Sequence, residues 1–325
     1  MDMSEKGLII TAAPHIRDRV ATPRIMNAVF IALMPAALCG VYFFGPWAAI
    51  NLVVGVASAV LWEYAIQRIW KLDVTVSDGS AALTGLLVAL TLPPAVEPWV
   101  TALACLVAIG PGKIVFGGLG YNIFNPALIG RTFAALSWPS VIGAGYVSPD
   151  GIAAWKRGLD VVASATPLGL LKSGEIGSTS LSRLYGPLFF GNVGGSLGET
   201  SAIALLIGAL LLLFAGVITL RIPLVYMLTT AVMAMLFNQD PVFHLLSGGL
   251  ILGAFFMATD YVTSPIKPVG QIVYAVGLGL FTFLIRMFGS YPEGVAFSIL
   301  LMNCFVPLIE RFGAQKRFGE VRNRA

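Results

Sequence analysis

The chain has 325 residues, 57% of them hydrophobic and only 11% charged, with a formal net charge of +4 and a mean hydropathy of +0.86. A soluble domain carries about 25% charged residues. A water-coated globule is therefore excluded, and most side chains must face lipid or other helices. The 36 glycines and 19 prolines fit that setting, because Gly lets helices approach closely and neighbouring helices re-satisfy backbone groups freed by Pro. The apolar runs, such as 25–44 and 203–220, are long and do not alternate, so they read as helices rather than barrel strands.

In chain order, residues 1–24 form a polar, charged cytoplasmic segment with no signal-peptide h-region or cleavage site. Five spans follow at 25–44, 47–67, 80–92, 98–115 and 121–138. The third is short, closed by Asp78 on one side and Pro93-Pro94 on the other. Short, Gly/Pro-bounded apolar segments mark either broken elements at a functional site or tilted spans with buried ends. Residues 139–200 form a polar, Gly- and Ser-rich loop, and Trp138, Trp155, Tyr185, Phe189 and Phe190 argue against plain disorder in it. Five more spans are predicted at 201–220, 222–237, 242–258, 269–288 and 294–310, ahead of a basic tail at 311–325.

Charge sets the orientation. Lys6, Arg17, Arg19 and Arg24 precede the first span, and Arg311, Lys316, Arg317, Arg322 and Arg324 follow the last. The positive-inside rule then makes both termini cytoplasmic, which an even number of spans requires. Arg68, Lys71, Lys113, Arg221 and Lys267 fall on predicted cytoplasmic turns. The loop 139–200 falls outside despite Lys156, Arg157, Lys172 and Arg183, since long loops translocate largely regardless of charge. Five spans on either side of it suggest two inverted repeats, 25–138 and 201–310. Faint internal likeness supports this: Gly85-Leu86-Leu87 with Gly249-Leu250-Ile251, and Pro126, Arg131 and Phe133 with Pro307, Arg311 and Phe312.

Cys39, Cys105 and Cys304 share no paired spacing and read as small buried hydrophobes. His15 and His244 have no ligand partner at metal spacing, so no metal is expected on this chain alone. No nucleic-acid partner is expected either. Four polar stretches need an explanation: Val76–Ser80, Gly117–Pro126, Asp160–Pro167 and Ala258–Pro265. Their Asn, Asp and Thr side chains could cap broken helices or bond the edge of a ligand, and glycines allow close backbone approach. Thr166-Pro167 is in addition a good Ncap–N1 pair. Arg131, inside the fifth span, needs a partner or must snorkel to the interface.

Those four stretches, with Ala13-Pro14-His15-Ile16, resemble the signature blocks of the membrane-subunit family that includes NqrB and RnfD, along nearly the whole chain. The compact length favours the RnfD side. The resemblance implies an all-α polytopic membrane protein of about ten transmembrane helices in two inverted five-helix repeats, similar to urea-channel-like proteins. It implies a subunit of an Rnf-type complex in a bacterial or archaeal cytoplasmic (inner) membrane, passing electrons while Na⁺ or H⁺ is moved. It also implies FMN joined through its phosphate to Thr166 by a separate flavin transferase. The flavinylation pattern resembles D-x-x-[S/T]-G-A-T. Asp160, Ala165 and Thr166 match, whereas Ala163 and Ser164 stand where Ser/Thr and Gly are usual. A second, noncovalent flavin, riboflavin or FMN, is expected nearer the inner side. Gly118, Asn122, Asn125, Thr259, Asp260 and Thr263 are candidates for contacts to it or to a coupling ion. Two other classes fit the residues: a channel or secondary transporter for a small polar solute, and a scaffold subunit without flavin. Yellow purified protein would separate the redox reading from both.

Overall fold

The computed structural model describes residues 21–157, 164–175, 178–291 and 293–312, and these are helical with no β-strand among them. The helices of the first part are α1 (Thr22–Phe44), α2 (Pro46–Ile69), α3 (Ser80–Thr91), α4 (Pro98–Ile109) and α5 (Pro126–Ser137). Short helices cross the connecting segment: α6 (Pro139–Ala144), α7 (Ile152–Arg157), α8 (Pro167–Lys172) and α9 (Tyr185–Phe190). The second part holds α10 (Ala202–Phe214), α11 (Arg221–Leu236), α12 (Pro241–Leu246), α13 (Leu250–Leu252), α14 (Pro268–Phe288) and α15 (Val295–Phe312).

Four of these elements are long and apolar enough to cross a membrane: α1, α2, α4 continued to Phe116, and α14. Their outward faces carry large apolar side chains such as Ile31, Leu38, Val53 and Leu61 in the open, and Phe214 on α10 is 87% exposed. Faces of this kind on so uncharged a chain belong against lipid, and the protein is a multi-pass membrane protein.

Packing follows a similar order in the two parts. Helix α2 packs on α3 and α4, and α4 on α5; α11 packs on α12 and α14, and α14 on α15. Helices α1 and α10 pack on each other. Small residues permit the closest approaches. A Cβ on Gly85 would stand 2.2 Å from the Gly55 carbonyl oxygen, and one on Gly208 would stand 2.0 Å from that of Ala32.

The short third span is buried throughout, at every residue of α3 but Ala82. It starts after Gly79 in a left-handed conformation and stops before Pro93-Pro94, which cannot continue it. Broken helices leave carbonyls that lipid cannot satisfy, and side chains take them up. Asn51 Nδ2 donates to the carbonyls of Pro94 (3.1 Å) and Val96 (2.7 Å).

The predicted span 242–258 is likewise broken. Helix α12 ends at Leu246, Gly248 and Gly249 both take positive φ, and α13 continues as a π-helical turn over Gly253–Met257. Here Arg286 supplies the satisfaction: Nη1 donates to His244 O (2.6 Å), and Nη2 to Ser247 O (2.9 Å) and Gly248 O (3.3 Å). Gly249 precedes its buried helix with left-handed geometry, as Gly79 precedes α3. Gly79 is thus its counterpart in backbone geometry, whereas Gly85 lies mid-helix.

Two further expectations are revised. The fifth span starts only at Pro126, because Gly117, Gly118 and Gly120 adopt positive φ and hold 117–125 as a loop. The sixth ends at Phe214, short of Leu220.

Candidate functional site

Thr166 opens helix α8. Its Oγ1 accepts the Gly169 N–H at 3.2 Å, and Pro167 at the first helical position needs no such acceptor. Ahead of it, the Ser164 N–H donates to the Tyr146 carbonyl at 2.8 Å, which pins the extended approach to the segment after α6. Ala165 is exposed and Thr166 half-buried, so the hydroxyl is reachable from outside. Asp160 and Ala163 of the same motif lie outside the described residues.

Beside Thr166 lies a cavity of about 300 Å³, lined by Ala165 and Thr166, by Arg131 and Glu293, and by the rings of Tyr146, Tyr291 and Phe297. That volume lies at the lower end of the range of about 300–1,000 Å³ usual for small-molecule sites. Tyr291 and Phe297 meet at 5.1 Å between centroids with planes tilted 35°. Arg131, projecting from α5, donates through Nη2 to Glu293 Oε2. Tyr146 donates its hydroxyl to the other oxygen, Oε1, at 2.6 Å. Burial, with the Glu293 carboxylate beside it, raises the Tyr146 phenol well above its ordinary value, so it remains a proton donor. The Arg131 expected to need a partner has one, and the snorkelling alternative falls away: the residue is 8% exposed.

Glu293 is held from a third direction, since Arg286 Nε donates to its carbonyl at 3.0 Å. Next to Thr166 a water-sized space of about 20 Å³ is bounded by Glu199, Ser247, Gly248 and Glu293. The Ser247 hydroxyl is buried there without a protein partner among the described residues.

A second cavity, of about 90 Å³, lies between the two parts of the chain. Asn122, Asn125, Thr259 and Asp260 line it together with Ser80 and Lys113. The structure therefore brings together four of the six residues named for the inner site. Gly118 lines a neighbouring open groove, and Thr263 is buried with its hydroxyl on Asp260 Oδ2 at 3.2 Å. Asn125 is the N-cap of α5, accepting from Ala127 N (3.1 Å) and Leu128 N (3.4 Å). Thr259 returns its hydroxyl to Phe255 O at 2.7 Å. Asn122 spends its amide on Phe124 O at 3.0 Å, but its Oδ1 is buried and unpartnered among the described residues. A buried acceptor of that kind calls for a donor from a ligand or water.

The model of the NQR2, RnfD, RnfE family matches residues 9–319. The chain belongs to this family. It is 46% identical over 98% of its length, and 97% of the relative's, to a subunit of the Na(+)-translocating ferredoxin:NAD(+) oxidoreductase complex of Acetobacterium woodii. It is 42% identical, over 96% of both chains, to a subunit of the proton-translocating ferredoxin:NAD(+) oxidoreductase complex of Clostridium ljungdahlii. It is 41% identical, over 93% of both chains, to a subunit of the ion-translocating oxidoreductase complex of Stutzerimonas stutzeri.

Within this NQR2/RnfD/RnfE chain, several site residues escaped the sequence reading. Glu293, Tyr146 and Glu199 carry no motif, and Arg286 was absorbed into an apolar span. Lys113, read as a cytoplasmic turn residue, is 1% exposed and bonded to Glu63 and Ser80. The one available signal was charge inside apolar runs: Glu63, Arg131 and Arg286 each need a counter-group in a membrane.

Proposed function

We propose that the chain is the RnfD subunit of an Rnf-type ion-translocating ferredoxin:NAD⁺ oxidoreductase, and that it carries FMN as a phosphoester on Thr166. The assignment is supported by the family match and by three relatives, at 41–46% identity, that are named as subunits of such complexes. The observation that carries the flavin reading is the cavity of about 300 Å³ at the reachable Thr166 hydroxyl, walled by aromatic rings and a buried guanidinium. The groups present fit a tricyclic, hydrogen-bonding ring tethered by one phosphate. A phosphoester leaves Oγ1 able to accept, so the Gly169 N–H keeps its partner after modification.

Bound there, the flavin would supply one-electron transfer, its chemistry being its own. The chain's residues supply the rest. Thr166 fixes the tether at the start of α8. Tyr291 and Phe297 offer apolar contact, and Arg131, Tyr146 and Glu293 line the polar wall. Thr is a poor nucleophile without an activating base, and modification therefore falls to a separate flavin transferase acting on an accessible segment.

In this reading the cavity between Asn122 and Asp260 takes a second, noncovalent flavin, riboflavin or FMN, whose N–H groups would satisfy Asn122 Oδ1. The parallel packing order of α1–α5 and α10–α15 supports ten spans in two inverted five-helix repeats, with 139–200 on the outer face. Both termini then lie in the cytoplasm, on the inner side of a prokaryotic cytoplasmic membrane. Other Rnf-type subunits would exchange electrons with this one while Na⁺ or H⁺ crosses.

Intact mass of the chain from its native host, with peptide mapping across 160–172, tests the central claim. Added FMN on Thr166, absent from Thr166→Ala, is expected. An unmodified peptide from an assembled complex, with the transferase present, would overturn the flavin reading and favour a channel or scaffold.

A further inference from the structure

The cavity at Thr166 is an unusual place for an ion pair. A buried pair gains little net stability over apolar side chains of similar volume, because both ions lose their water. Helix α5 could have been packed against the start of α15 without one. Instead Arg131 is built into the cavity wall by three segments of chain. Its Nη2 donates to Glu293 Oε2, Tyr146 donates to Glu293 Oε1, and Arg286 Nε holds the Glu293 carbonyl at 3.0 Å. Both carboxylate oxygens of Glu293 are thereby engaged, so the carboxylate cannot swing away and the guanidinium plane follows it. Arg131 and Thr166 border the same space of about 300 Å³.

We propose that Arg131 is the positioning and potential-setting residue of that cavity. Its fixed positive charge raises the midpoint potential of a flavin tethered at Thr166, and Glu293 and Tyr146 are the groups that aim it. The proposal rests on the flavin reading of Thr166. Its physical basis is simple. A ring that gains an electron becomes more negative, and a cation in a low-dielectric wall favours that form. Glu293 acts in the opposite sense, since it neutralises part of the same charge. The two members of the pair therefore make opposite predictions, whereas a purely structural latch between α5 and α15 would make the same prediction for both.

The test uses the purified complex, with spectroelectrochemical titration of the Thr166-linked flavin and intact mass measured on each sample. The variants are Arg131→Gln, Arg131→Lys and Glu293→Gln. The expected result is full FMN mass in all of them, a lower midpoint potential in Arg131→Gln, a value near wild type in Arg131→Lys, and a higher one in Glu293→Gln. Arg131→Lys keeps the charge without the planar fork, so it separates charge from fold. Unchanged potentials with the mass intact would overturn the proposal, as would shifts of the same sign in Arg131→Gln and Glu293→Gln. A wild-type chain lacking the FMN mass would overturn the flavin reading itself, and this inference with it.

Discussion

Lys113 Nζ lies 2.7 Å from Glu63 Oε2, and both side chains are closed off from solvent. The ammonium's further contacts are Glu63 Oε1 at 2.9 Å and Ser80 Oγ at 2.6 Å, so the end of α4 is tied to α2 and to the first residue of the short helix α3. Gln67 and Thr75 complete the shell around the carboxylate, each at 3.2 Å from Oε1. Removing one partner of such a pair leaves an uncompensated buried charge and costs about 3–5 kcal/mol. Lys113→Met is expected to lose that much, read as a collapse in the melting temperature of the detergent-solubilised protein. Lys113→Met with Glu63→Gln should recover most of it, because no bare charge remains. Equal melting temperatures for the single and double variants would show that the pair's charge is not what holds α3.

Helix α3 also depends on having no side chain at Gly85. A Cβ there would stand 2.2 Å from the Gly55 carbonyl oxygen and 2.7 Å from Ala59 Cβ, and a backbone oxygen cannot rotate away. Gly85→Ala is expected to destabilise by about 1–3 kcal/mol, the usual cost of forced overpacking. Gly143→Ala, in α6 with nothing within 4 Å of its added Cβ, is the control and should be near neutral. Thermal melts of the two variants check this; a harmless Gly85→Ala would mean that α2 and α3 can separate without cost.

Thr166 has two separable roles, as N-cap and as proposed acceptor. Thr166→Ala removes both, and loss of an N-cap costs about 0.5–2 kcal/mol. Thr166→Asn keeps a capping oxygen for the Gly169 N–H but has no hydroxyl to esterify. Neither variant should carry FMN by intact mass, whereas proteolysis of the α8 segment should accelerate in Thr166→Ala alone. Flavin retained on Thr166→Asn would place the attachment elsewhere.

Much of this was legible in the sequence where the cause is local. Pro93-Pro94 announces the end of α3, and Thr166-Pro167 announces a cap. Gly117–Gly120 was seen as a cluster, but its extent as a loop was not, because apolar Leu119 and Ile123 extend the hydrophobic run across it. The break at Ser247–Gly249 was missed for the same reason: the flanking residues are apolar on both sides. Charge bias read the side of the membrane on which Lys113 falls but not its burial, since a turn residue and an inward-turned one have the same letter. Arg131 was marked as needing a partner. That partner, Glu293, stands 162 positions away, and only the fold brings α5 and α15 together.

Glu199 gives the pH dependence. It lies in the segment between α9 and α10, facing Glu293 and Arg131, Arg286 from α14, and the Ser196 hydroxyl. Burial, and after it the Glu293 carboxylate, push its pKa from 4.5 up to about 8. A carboxyl raised in this way stays protonated in the folded chain while the unfolded chain ionises. The stability it contributes is therefore fully present below pH 4.5 and is lost as pH rises through about 8. Glu199→Gln fixes the neutral form. The wild-type melting temperature should fall across that window, and the Glu199→Gln curve should fall less, so that the variant is the more stable at the alkaline end and the two agree at the acid end. Melts of both proteins across the window decide it: parallel curves would mean that Glu199 is ionised in the folded chain throughout, with Arg131 and Arg286 neutralising it as a fixed part of the cluster.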